Sequence, residues 1–129
     1  MSAGSQPTGH VHPRSLALLE REGISTEGLF SKSWNSLSAT PDIVITVCGN
    51  AAGETCPTYL NPALRTHWGV DDPAKVTGTE EEINAAFILA YRTLREGIET
   101  FLSLPLDGLR QNPSALRTKL DYIGILKFK

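Results

Sequence analysis

Asp42-Ile43-Val44-Ile45-Thr46-Val47-Cys48 is the stretch whose reading decides the fold class. Everything between Asp42 and Cys48 is β-branched. Such side chains are stiff at χ1 and pack well on a pleated surface. The run shows no alternation of apolar and polar positions, so it reads as a strand covered on both faces, as in a parallel sheet. Downstream, Gly49 to Pro62 reads as a long loop punctuated by Gly49, Asn50, Gly53 and Pro57. A weaker strand candidate follows at Leu64-Arg65-Thr66-His67-Trp68-Gly69-Val70. It leads into Asp71-Asp72-Pro73, where the proline biases Asp72 toward an extended backbone.

Helices flank these strands. Upstream, residues 1–12 read as loop, and Pro13 suits a first helical turn because its missing N–H would be an orphan there anyway. Arg14 to Glu22 places Leu16 and Leu19 at helical spacing, and Gly23 is a natural stop. Residues 24–41 are polar and irregular. Further on, Thr79 with Glu82 forms a capping-box pattern. Ile83, Ala86, Phe87, Ala90, Leu94, Ile98 and Phe101 then predict the buried face of a long amphipathic helix that ends before Pro105. Leu116, Leu120 and Ile123 predict a last helix over Ser114 to Ile123. Strands alternating with helices imply an α/β domain with a mainly parallel sheet. There is no repeat, low-complexity tract or linker, so residues 1–129 read as a single domain. Two strand candidates are nevertheless too few for a doubly covered parallel sheet.

Composition narrows the function. The chain has 129 residues, 40% hydrophobic and 20% charged, with a formal net charge of −2. That balance gives no reason to expect nucleic acid or an anionic membrane as partner. No apolar run reaches the roughly 18 residues of a membrane span, and the amino terminus has no basic-then-apolar leader pattern. A cytoplasmic location is the expectation. Cys48 and Cys56 are too few for a disulfide framework or a four-cysteine zinc site. His10-x-His12 supplies two ligands without a third and reads as a pair of turn residues. No cofactor or metal is expected.

By spacing alone, Cys48 is a small apolar residue at a strand end and Cys56 an incidental loop thiol. The other reading is a redox pair, since Gly49, Asn50, Ala51, Ala52 and Gly53 would let two thiols approach each other. Asp71-Asp72-Pro73 alone is a common turn former. His67 reads as a structural, hydrogen-bonded histidine. Lys32 and Trp34 read as loop packing.

The stretch DIVITVCGNAAGETCP (residues 42–57), followed by LRTHWGVDDPAKVTGTEEE (residues 64–82), resembles the thioredoxin-coupled arsenate reductases of the low-molecular-weight tyrosine phosphatase family. The shared features are a strand ending in cysteine, a short Ala- and Gly-containing loop, a second cysteine before proline, and His-Trp-Gly leading to Asp-Pro. Upstream, SAGSQPTGHVHPRSLALLEREGIST (residues 2–26) is similar to the family's second strand, turn and second helix, and the closing Leu120-Asp121-Tyr122-Ile123-Gly124 fits its tail.

The resemblance implies a low-molecular-weight phosphatase-like α/β fold: a three-layer parallel sheet, here missing its first strand and first helix. It implies that Cys48 and Cys56 are the two shuttle thiols, that Asp72 is the general acid, and that Trp68 packs under the active-site loop. It implies thioredoxin as partner. Family members also carry a Cys-x5-Arg loop that grips the oxyanion and supplies the nucleophile. Here the residue six after Cys48 is Glu54, and six after Cys56 is Pro62. The expectation is therefore an amino-terminally truncated arsenate reductase that is inactive alone and takes arsenate only if the missing loop is supplied. Its uncovered sheet favours a homo-oligomer or a swapped dimer. The alternatives are a non-catalytic thiol-redox or binding module, or a remnant of a low-molecular-weight phosphatase.

Overall fold

The computed structural model describes residues 1–47 and 63–128. Cys48, Cys56 and the whole predicted loop between Gly49 and Pro62 lie outside the described residues. Among the described residues the elements are α1 (Pro13–Arg21), β1 (Ile43–Thr46), β2 (Leu64–His67), α2 (Glu80–Leu102), α3 (Leu106–Leu109) and α4 (Pro113–Lys127). Two 3-10 turns, Trp34–Ser36 and Pro73–Lys75, lie between them. The chain forms two compact units: Met1–Ala39 with Asp72–Leu89, and Thr40–Asp71 with Ala90–Lys129.

In the first unit, α1 starts and stops on local chemistry. His12 caps it, its Nδ1 accepting from the Arg14 N–H at 3.1 Å, so the histidine read as a turn residue is a helix cap. At the other end Gly23 adopts φ +77°, a region open to glycine without steric cost. The Ile24 N–H then reaches the Leu19 carbonyl at 2.9 Å and the Gly23 N–H reaches that of Glu20 at 3.0 Å, a Schellman closure. Leu18 and Phe87 are buried in this unit, and the His12 ring sits 4.8 Å from the Phe87 ring. Arg14 forks onto both carboxylate oxygens of Glu80 at 2.8 Å and also bonds Asn84. The second strand implied near the amino terminus is reduced to one isolated parallel bridge, Gly4 to Ser33.

The Thr79 half of the capping box at the start of α2 forms as its residues predict, with the Glu82 carboxylate turned back to the Thr79 hydroxyl. The Thr79 hydroxyl oxygen accepts from the Glu82 N–H at 3.1 Å, and the hydroxyl donates to the Glu82 carboxylate at 3.3 Å. Thr79→Ala should cost about 1 kcal/mol, read as a lower urea midpoint with an unchanged slope. An unchanged midpoint would mean that the helix does not depend on this cap.

In the second unit, β1 and β2 pair in parallel, with Ile43 opposite Leu64, Val44 opposite Arg65, Ile45 opposite Thr66 and Thr46 opposite His67. Side chains alternate across a strand, so the pair has two distinct faces. Ile43, Ile45 and Leu64 pack onto a core of Trp68, Leu109, Leu116, Leu120, Ile123 and Phe128. Val44, Thr46, Arg65 and His67 take the other face, where Arg65 and His67 are exposed. The β-branched run predicted a strand covered on both faces. Each residue of β1 is half-buried, Val44 and Thr46 on one face as much as Ile43 and Ile45 on the other.

Trp68 is 1% exposed. Its indole N–H donates to the Leu120 carbonyl at 3.1 Å, and its ring stacks on Phe128 with centroids 5.1 Å apart. Two glycines permit this packing. A Cβ on Gly124 would lie 2.8 Å from the His67 carbonyl oxygen, and one on Gly97 would lie 2.6 Å from the Phe128 ring. Gly97 corrects the predicted helix face: it is buried, whereas Ile98 is 50% exposed. The last helix also runs to Lys127 rather than stopping at Ile123. Asn112 caps it through the Ala115 N–H, and Pro113 occupies its first turn. No helix among the described residues is long and apolar enough to cross a membrane.

Candidate functional site

Side chains at the carboxyl ends of parallel strands are where α/β folds usually place their chemistry. In this protein that end carries Thr46 on β1 and His67 on β2, directly opposite each other in the ladder. The Thr46 hydroxyl lies 2.7 Å from His67 Nδ1. The same hydroxyl makes a longer contact, 3.5 Å, with the Thr66 carbonyl. Cys48 follows Thr46 after one intervening residue, Val47. The expectation that His67 is hydrogen-bonded holds.

The backbone under His67 is firmly held. The next residue, Trp68, is in the core, and its N–H bonds the Thr46 carbonyl at 2.8 Å. The Val70 N–H bonds the Val47 carbonyl at 3.0 Å, which extends the pairing past the strand ends. On the opposite face Thr66, 6% exposed, donates to Asp121 at 2.6 Å, and Arg117 stands 3.9 Å from the same carboxylate. A buried hydroxyl without such a partner would be costly, so this bond ties β2 to α4. Neither the Thr46–His67 nor the Thr66–Asp121 pair is visible in the sequence, because each depends on a register that no motif prints.

Asp72 is exposed and extended at φ −72°, ψ 110°, as its position before proline requires. Its Oδ1 accepts from the Ala74 N–H at 2.9 Å, capping the 3-10 turn Pro73–Lys75. Local structure thus fixes the direction of this carboxylate. Since Cys48 and Cys56 lie outside the described residues, no geometry joins the three predicted site residues. Lys32 lies over the Phe30 ring at 4.3 Å, and the Trp34 N–H bonds the Gly4 carbonyl at 3.0 Å, so both take part in loop packing. On α2, the exposed Arg95 guanidinium donates hydrogen bonds to Glu99 first and then Tyr91, which hold it above its ordinary pKa.

The chain resembles known proteins in sequence. Residues 1–114 match the low molecular weight phosphotyrosine protein phosphatase family. The chain is 37% identical over 101 residues to an arsenate reductase of Halalkalibacterium halodurans, a match covering 78% of this chain and 71% of that protein. It is 38% identical over 87 residues to an arsenate reductase of Bacillus subtilis, covering 67% and 61%. A shorter match, 51% identical over 41 residues, links it to an arsenate reductase of Oceanobacillus iheyensis and covers 32% and 29%. The parallel strand pair and its helices fit the α/β fold expected from the sequence. The chain belongs to the low molecular weight phosphotyrosine protein phosphatase family and, within it, is similar to arsenate reductases.

Proposed function

We propose that the protein serves the reduction of arsenate to arsenite and supplies the disulfide relay of that reaction. The carrying observation is that Cys48, Cys56 and the run Trp68-Gly69-Val70-Asp71-Asp72-Pro73 occur together in a chain 37% identical to an arsenate reductase. In this reading a thiolate held in a Cys-x5-Arg loop bonds to arsenate, and Asp72 protonates the oxygen that leaves as water. The Cys48 thiolate then attacks the sulfur of that adduct. The sulfur–arsenic bond breaks with its electron pair remaining on arsenic, which departs as arsenite, and a disulfide forms. The Cys56 thiolate attacks the Cys48 sulfur, frees the nucleophile and leaves a Cys48–Cys56 disulfide for thioredoxin to reduce. Such a relay suits a reducing, cytoplasmic setting.

This sequence contains no Cys-x5-Arg, so the 129-residue chain alone should not turn over arsenate. The measurement is NADPH consumption with thioredoxin, thioredoxin reductase and arsenate. No turnover is expected for the chain alone, and turnover is expected when a segment carrying a Cys-x5-Arg loop is added in trans. Robust turnover by the chain alone would overturn the claim of inactivity. The same absence favours a second reading, a thiol-redox module that exchanges disulfides without touching arsenic. Trapping a mixed disulfide between Cys56 and thioredoxin lacking its resolving cysteine, with no arsenate turnover even when the loop is added, would select that reading.

A further inference from the structure

We propose that the cleft between α1 and the first turns of α2 is a binding site for a small organic carboxylate, with Arg21 holding the carboxylate and an apolar floor holding its stem. Every residue lining this cleft belongs to the first unit, and none is a residue of the proposed relay.

The floor sets Leu18 of α1 beside Phe87 and Ile88 of α2. Leu18 and Phe87 are almost fully buried, so this surface is apolar and held in place by packing. The cleft above it has a volume of about 70 Å³. One water needs about 10–15 Å³, so there is room for a molecule of about five or six non-hydrogen atoms.

The polar lining consists of donors. It is made by Arg14, Arg21 and Asn84. At the Arg14 end the charge is already met, because its guanidinium forks onto both carboxylate oxygens of Glu80 and bonds the Asn84 side-chain oxygen. That bond commits the Asn84 oxygen, and its amide nitrogen remains as a donor. Among the described residues no acceptor stands within hydrogen-bond distance of that nitrogen or of the Arg21 guanidinium. Arg21 lies about 10 Å further along the helix axis than Arg14, and Glu80 is spent on Arg14. Glu20, next to Arg21 in sequence, is engaged by the Thr26 hydroxyl at 3.2 Å.

The unmet chemistry is thus a cation and an amide donor above an apolar floor. A guanidinium takes a carboxylate through two parallel N–H bonds. A short hydrocarbon stem would then cover Leu18, Phe87 and Ile88 and remove their surface from water. An inorganic oxyanion would satisfy the donors and leave the floor wet, and an uncharged apolar molecule would do the reverse.

The test titrates butyrate into the isotopically labelled full chain at constant ionic strength, following the Arg21 Nε–H and Asn84 side-chain amide signals by NMR. Saturable shifts are expected at these groups and along α1 and the start of α2, with half-saturation on the order of millimolar. Butyramide has the stem without the charge, and inorganic phosphate has the charge without the stem. Each should bind roughly tenfold more weakly than butyrate, the scale of one charge-assisted hydrogen bond. Arg21→Gln should weaken butyrate by about the same factor. Ala17→Leu, which fills the cleft from α1 and removes no charge, should abolish the shifts. Arg110→Gln, in the second unit, should change nothing. An unaltered α1 amide pattern without ligand establishes that each variant folds. Shifts that rise linearly without saturating overturn the proposal. So does binding of butyramide or phosphate as tight as that of butyrate, or an unchanged butyrate affinity in either Arg21→Gln or Ala17→Leu.

Discussion

Replacing Trp68 with alanine is expected to remove about 3–5 kcal/mol of stability, one of the largest losses any single substitution should cause here. The indole is almost fully buried at the centre of the second unit's core, between the strand pair and α4. Its removal leaves a cavity in the core, and Phe128 would lose its stacking partner. The hydrogen bond to the Leu120 carbonyl would be lost as well, worth about 1 kcal/mol net. Domains of this size hold only about 5–15 kcal/mol in total, so the variant should be partly unfolded at 37 °C. Urea unfolding followed by far-ultraviolet circular dichroism measures the loss. A change below about 1 kcal/mol would show that the core described around Trp68 does not carry the fold. Trp68→Phe should fall between wild type and alanine, since it keeps ring contact and loses the donor.

Gly124→Ala is the second substitution with a large expected effect, although alanine is the better helix former. In a free helix the change would gain roughly 1 kcal/mol. Here the new methyl would sit 2.8 Å from the His67 carbonyl oxygen and 3.2 Å from the Trp68 ring. The oxygen belongs to the backbone of β2 and cannot swing aside, so α4 must move away from the strand. Overpacking of this kind costs about 1–3 kcal/mol, and the balance should be a net loss. The corresponding change at Gly97 meets side chains only, the Phe128 ring at 2.6 Å and the Trp68 ring at 3.2 Å, which can shift further than a strand carbonyl, so it should be milder. A Gly124→Ala variant more stable than wild type would refute the close approach of helix and strand. Equilibrium unfolding of the two variants side by side tests the ranking.

How much of this was legible in the sequence depends on which signal each element uses. The strand at Ile43–Thr46 was readable because a β-branched run has few other structural uses. Both ends of α1 and the start of α2 were readable because Pro13, Gly23, Thr79 and Glu82 act on their own neighbours. The face of α2 was misread at one turn. Apolar periodicity favours Ile98, whereas the packing requires a residue with no side chain, and a pattern built on hydrophobicity cannot see Gly97. The four-residue helix α3 escaped because Pro105 was read only as the end of the helix before it. The end of α4 was placed short because Ile125 and Leu126 point to solvent and break the buried pattern while the helix continues. Asp72 was singled out only through the family resemblance, and what the structure shows of it is its cap on Pro73–Lys75, the local structure that an aspartate before proline encodes. The partnership of Thr46 with His67 was not readable, because residues 21 apart in sequence meet only through the parallel register.

The bond between Thr66 and Asp121 bears on how the chain avoids assembling wrongly. A two-strand ladder can zip one step out of alignment, and every side chain of the slipped strand then changes sides. Such a slip in β2 would press Arg65 or His67 against the oily surface of α4 and strand Asp121 without its hydroxyl donor. A misaligned copy would therefore place a charged or polar side chain where Thr66 is buried and lose the Thr66–Asp121 bond, and both faults favour letting go and trying again. A single hydroxyl on the inner side of the strand thus works as a proofreading key for the ladder that carries Thr46 and His67.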